Sequence, residues 1–99
     1  MQPSMLELEV TGEVFWWRGP APFHFVAVGP EDAEEIRALA AVVTYGWGMI
    51  PALVTLGATT LPTSLFAKDG GYVVPLKVAL RRAEGVELGD VVTLGVRIG

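Results

Sequence analysis

Alternating hydrophobic and polar side chains predict β-strands over most of the chain. Near the start, Leu6, Leu8 and Val10 alternate with polar residues, which is the period of a strand that buries one face. From Phe15 the alternation fails, because aromatic side chains occupy both faces. The predicted strands cover residues 5–18, 22–28, 49–57, 58–66, 72–74 and 91–98.

A helical spacing replaces this alternation after Pro30. A proline at the first helical position gives up a donor that has no partner there, so the spacing predicts a helix that opens at Pro30 and ends near Gly46. Four acidic residues follow the proline, where the helix dipole favours negative charge. The predicted buried stripe consists of Ile36, Leu39, Ala40 and Val43.

A second, shorter helix is predicted to open at Pro75 and to end at Gly85, a left-handed cap. Its outer face is basic. The predicted buried stripe consists of Leu76, Ala79, Leu80 and Ala83.

Short turns connect these elements. Gly57 joins two strands tightly, and residues 68–71 form a hairpin turn in which both glycines are expected to supply positive φ. Gly89-Asp90 turns the chain into the last strand.

Both halves of the chain follow the order strand, proline-led helix, strand. The shared order suggests an internal duplication as a hypothesis, although few residues are identical between the halves. Strand pairs with single helices between them favour a small closed or split barrel whose ends the helices cover. The predicted fold class is therefore mainly β with two helices, in one domain of residues 1–99.

Charge is distributed unevenly along this acidic chain of net charge −4. Residues 1–67 hold seven acidic and two basic side chains, whereas residues 68–99 hold four acidic and five basic ones. Any surface that attracts anions is therefore expected in the second part.

Location is expected to be cytoplasmic. The chain has no cysteine and its first residues lack the basic start and apolar run of a signal peptide. Residues 38–67 carry no charge, but glycines and prolines interrupt them every few residues, so we expect no membrane span.

No catalytic, metal or cofactor site is predicted. His24 is the only histidine, and one imidazole without a ligand-spaced partner makes neither a metal centre nor a triad. Ser64 with His24 and Asp69 would supply the residue types of a hydrolase, but no Gly-x-Ser-x-Gly motif surrounds the serine. Acidic residues after Pro30 are better explained by the helix dipole than by catalysis.

Two surface clusters remain as candidates for binding. The first is an aromatic and apolar cluster. It is larger than one small core can bury, and such surface is typical of interfaces. Its members are Trp16, Trp17, Tyr45, Trp47, Met49 and Ile50. The second is a basic cluster, which is either an ordinary solvated helix face, the interpretation the residues favour, or a site that attracts phosphate or carboxylate. Its members are Lys68, Lys77, Arg81 and Arg82.

Several motifs of the second half together resemble the domain-of-unknown-function family 1905 (DUF1905). They are Thr63-Ser64-Leu65-Phe66, the Asp-Gly-Gly turn at 69–71, residues 72–77, residues 80–85 and residues 89–92. The resemblance implies a double-split β-barrel capped by helices, an architecture shared with AbrB/MazE-like proteins. It implies no activity.

These observations favour a non-catalytic binding or assembly module that contacts a protein partner or itself through the apolar cluster. The alternative is a module that binds nucleic acid or another anion through the basic second helix. An enzyme ranks third, and no cofactor is expected.

Overall fold

A computed structural model describes residues 6–18, 24–43 and 49–99 of the chain, with side chains described except at 41–43. It confirms the predicted elements in type and order. The strands are β1 (Leu6–Glu13), β2 (Phe15–Trp16), β3 (His24–Ala27), β4 (Ile50–Leu56), β5 (Thr59–Lys68), β6 (Gly71–Pro75) and β7 (Val91–Ile98). The helices are α1 (Pro30–Val43) and α2 (Val78–Glu84). The predicted end of the first helix near Gly46 lies outside the described residues.

All strands pair antiparallel in the order β1-β7-β4-β5-β6-β3-β2. The two ends of this order, β1 and β2, are separated in sequence by Val14 alone. The sheet therefore curls round until its last strand continues its first. This arrangement confirms the predicted mainly β fold, a small barrel.

Two long segments each divide their pairing between two neighbours. The first segment, β1 with β2, pairs with β7 up to Glu13 and with β3 from Phe15 onward. In the same way β5 pairs with β4 up to Leu65 and with β6 from Phe66 onward. These two changes of partner make the barrel double-split, and they explain why the strand predicted over residues 5–18 is two strands.

The core fills the barrel with apolar side chains from both helices and from every strand except β2. Phe25, Ile36, Ile50 and Leu65 are among the largest that are fully buried. Among the described residues no polar or charged side chain is buried. Burial of apolar area is therefore what holds this fold together.

The two halves of the barrel repeat the same backbone hydrogen bonds. The Val28 N–H donates to the Tyr72 carbonyl at 3.0 Å, and the Leu76 N–H donates to the His24 carbonyl at 2.8 Å. Each residue of the second bond lies 48 positions from its counterpart in the first, and α2 likewise begins 48 positions after α1. This repetition supports the internal duplication that the sequence suggested.

The second helix begins later than predicted. Pro75 is the last residue of β6 and pairs with Phe25, so α2 starts at Val78 after an extended Lys77. Of the predicted buried stripe, Leu76 and Leu80 are buried, but Ala79 and Ala83 are exposed. This part of the prediction was wrong because Leu76 enters the core from the connection before the helix.

Two of the turns with positive φ lie where the sequence places them. Gly85 caps α2 with φ of 66°. In the β5–β6 hairpin, however, the left-handed residues are Asp69 (φ 51°) and Gly70 (φ 79°), while Gly71 pairs with Lys68. The hairpin is thus a two-residue turn in which aspartate, not a second glycine, supplies one positive φ.

Candidate binding surface

An aromatic cluster lies on the side of the barrel where the β1–β2 segment and β5 change partners. Phe25 is fully buried, and the rings of Phe15, Trp17 and Phe66 surround it at centroid distances of 6.2, 5.2 and 6.4 Å. Phe15 and Trp17, two residues apart, thus share one partner in Phe25, whereas Trp16 between them is exposed.

The structure divides the predicted apolar cluster. Trp16 is 55% exposed. Trp17 is half-buried on Phe25, and the Lys68 ammonium lies 5.3 Å from the centre of its ring. Tyr45 and Trp47 lie outside the described residues.

Met49 and Ile50 are neighbours in sequence with different positions in the fold. Met49 is half-buried at the surface, whereas Ile50 is fully buried in the core at the start of β4. The surface therefore excludes Ile50, because adjacent strand residues point to opposite faces of the sheet.

A groove of about 350 Å³ lies along the second half of β5. We call it the β5 groove. It is lined by Met49, Pro62, Thr63, Ser64, Phe66, Pro75 and Lys77. Its walls are mainly apolar, with two hydroxyl groups and one ammonium group.

The β5 groove brings together one residue from each predicted cluster, Met49 from the apolar one and Lys77 from the basic one. Lys77 is exposed, and no described residue forms an ion pair with its ammonium group. A ligand in this groove would therefore meet apolar carbon and a positive charge that the described part of the chain does not neutralise.

The other predicted basic residues do not line the β5 groove. Arg81 is half-buried, and its Nε donates to the Leu76 carbonyl at 3.2 Å, which holds the side chain along α2. Arg82 is exposed on the same helix. Lys68 lies at the end of β5, where it pairs with Asp69 and lines a different groove. The basic cluster is thus reduced to the residues around α2.

That different groove, of about 330 Å³, lies between α1 and the β5–β6 hairpin. At its rim Arg37 pairs with Glu34 and donates to the Gly70 carbonyl, and Lys68 pairs with Asp69. Each cation here has an acidic partner within the chain. The rim is electrically neutral, so it has less attraction for a charged ligand than the β5 groove has.

The residue types considered for catalysis are dispersed. Ser64 lines the β5 groove and Asp69 lines the other groove. His24, on β3, pairs with Trp16 of β2. Within residues 6–18, 24–43 and 49–99, no group of three or more acidic or histidine side chains is placed to hold a metal ion. Neither described helix has the length and apolar character needed to span a membrane.

Pro62, Phe66 and Pro75 are groove residues that the sequence prediction missed. A usable signal was present, because proline cannot donate to a sheet ladder and so favours positions where a strand is paired on one side only, as at Pro62 and Pro75. Pro51 also lies in a strand beside this site, opposite Ser64. Three strand prolines therefore mark the part of the barrel that opens into a groove.

The family model of the domain of unknown function DUF1905 matches residues 11–96 of the chain. Comparisons with curated proteins and with solved structures found no match. The matched region contains every lining residue of the β5 groove and both helices. The chain therefore belongs to the DUF1905 family.

Proposed function

We propose that this protein is a non-catalytic binding module that contacts a protein surface, either a partner or a second copy, through the β5 groove. The observation that carries the proposal is the pairing of an apolar wall with the exposed ammonium of Lys77. Such a combination is typical of sites that bury an apolar anchor and orient it by one charge.

Exposed apolar residues extend the surface beyond the groove. Pro62 lies at its edge and pairs with Leu53, which is 39% exposed on the outer face of β4. Pro51, two residues before Leu53, is also exposed on that face. Full burial of one leucine side chain contributes a free energy of about 1.5–3 kcal/mol. A partner that covers these residues would therefore gain binding free energy beyond that of the groove.

A second candidate function is the binding of nucleic acid or another anion. It is supported by Lys77 and Arg82, which are exposed and form no ion pair with a described residue. Against it stands the net charge of −4, since the long-range field repels a polyanion. We therefore rank it below protein binding.

The proposed setting is the cytoplasm. Its support is the absence of cysteine from a chain of this size.

Charge reversal in the groove and at a matched surface position tests protein binding. Lys77→Glu alters the groove, and Arg97→Glu makes the same change in charge on the outer face of β7, where Arg97 lies 3.5 Å from Glu7. If the groove binds protein, Lys77→Glu abolishes co-purification with the bound protein and Arg97→Glu retains it. Equal loss in both variants would contradict the proposal.

The anion alternative is tested by retention on a phosphate or DNA resin. It predicts salt-dependent retention that Arg81→Ala with Arg82→Ala abolishes. No retention at low salt would exclude it.

A further inference from the structure

The turn before β7 is held rigidly against the barrel. Val14 bonds to it twice, since its N–H donates to the Asp90 carbonyl at 2.8 Å and its carbonyl accepts from the Gly89 N–H at 2.9 Å. Within the turn, the Glu87 N–H donates to the Asp90 carboxylate at 2.9 Å, and the Asp90 N–H donates to the Glu87 carbonyl at 3.2 Å. A segment fixed in this way loses little conformational entropy on binding.

This rigid turn presents an apolar side chain to solvent. Leu88 is 50% exposed and Val91, the first residue after the turn, is 70% exposed. Glu87 places an exposed carboxyl group next to Leu88. The turn is therefore complementary to the β5 groove: Leu88 is an apolar anchor for the apolar walls, and the Glu87 carboxylate is a negative charge for Lys77.

We propose that the β5 groove binds the Glu87–Leu88 turn of a second copy of this chain. Leu88 enters between Met49 and Phe66, and the Glu87 carboxylate pairs with the Lys77 ammonium. The groove volume of about 350 Å³ accommodates a leucine side chain and part of the turn backbone. This inference rests on the proposed function, because it names the occupant of the same groove.

The positions of turn and groove determine how such copies assemble. The turn is anchored at the β1–β2 junction, and the groove lies on β5, three strands away in either direction round the barrel. Turn and groove are thus separate surfaces, and their contact is heterologous: each copy offers a turn to one neighbour and a groove to another. A contact this small is weak, with a dissociation constant on the order of 0.1–1 mM.

Sedimentation at high concentration tests the inference with two complementary variants. The turn variant carries Glu87→Gln and Leu88→Ser, and the groove variant carries Lys77→Glu. All three positions are exposed, so both variants are expected to fold, which circular dichroism and thermal unfolding check. Each variant alone should stay at the chain mass of 10.6 kDa, whereas the wild type rises above it with concentration.

The mixture of the two variants gives the distinguishing result. The intact turn of the groove variant fits the intact groove of the turn variant, so an equimolar mixture should recover association that stops at two chains. The double variant Lys77→Glu, Glu87→Lys should associate again, because the charges are exchanged. Growth of the mixture beyond two chains, or association of either single variant as strong as that of wild type, would overturn the inference.

A strictly monomeric wild type would also overturn it, but would leave the proposed function intact. In that case binding of a different protein, sensitive to Lys77→Glu and insensitive to Arg97→Glu, would show that the groove has another occupant. If the wild type is monomeric and no protein binds in this Lys77-dependent way, both proposals are contradicted.

Discussion

Glu84, the last residue of α2, lies directly against Gly57 in the β4–β5 turn. A Cβ atom built on Gly57 would overlap Glu84 Oε1, and Glu84 Oε2 accepts a hydrogen bond from the Thr59 hydroxyl at 2.6 Å. The short helix is thus tied to the hairpin at its C-terminal end. Because the β5 groove includes Lys77, just before the same helix, this contact also fixes one wall of the groove.

Replacing Gly57 tests the close approach. Gly57 has φ of 58°, so Gly57→Ala places an alanine in the left-handed region and displaces the Glu84 carboxylate that Thr59 binds. We expect the free energy of unfolding to fall by about 1–3 kcal/mol. Urea unfolding measures it. Gly85→Ala is the matched control, because Gly85 also has positive φ, 66°, and nothing lies within 4 Å of its Cβ position. A loss at Gly57 no larger than at Gly85 would contradict the contact.

The Thr59 hydroxyl provides a second test of the same connection. Thr59→Val keeps the shape of the side chain but leaves the half-buried Glu84 carboxylate without this donor. We therefore expect the free energy of unfolding to fall by about 1–3 kcal/mol. Thr59→Ser keeps a hydroxyl and should retain most of the stability. Equal unfolding midpoints for valine and serine would show that the hydrogen bond contributes nothing.

Phe25 should be the most sensitive aromatic position. Phe25→Ala removes the ring that Phe15, Trp17 and Phe66 all contact, and the cavity should cost about 3–5 kcal/mol. Trp16→Ser, at a position 55% exposed, should cost less than half as much. Thermal unfolding of the two variants side by side measures this difference, and the reverse order would place the core elsewhere.

Asp69 should tolerate only some substitutions. Its φ of 51° suits asparagine and glycine, whereas a β-branched residue is strained there. We expect Asp69→Asn to change stability by less than about 0.5 kcal/mol and Asp69→Val to cost about 1–3 kcal/mol. Urea midpoints that do not separate these variants would contradict the left-handed turn.

Much of this fold could be predicted from local patterns. Period-2 alternation located the strands, and the helical stripe after Pro30 located α1, because both record which face is buried. The start of α2 could not be predicted from Pro75 alone. Its pairing with Phe25, 50 residues earlier, keeps it in β6, and long-range pairing of this kind overrides a local helix signal.

The groove was harder to predict than the fold. Met49 and Lys77 are 28 positions apart in sequence and meet only because β4, β5 and β6 are neighbours. Lys68 and Lys77 line different grooves, because closeness in sequence does not determine which groove the end of a strand reaches. The strand prolines were the missed local signal, because each one marks a place without a ladder donor.

Photo-cross-linking shows whether the β5 groove contacts protein. A photoreactive side chain at Thr63 lies in the groove, and the same group at Glu9 lies exposed on the outer face of β1. If the groove binds protein, Thr63 gives a cross-linked protein product that is absent from Glu9 and is lost with Lys77→Glu. No product from Thr63, or equal products from both positions, would contradict it.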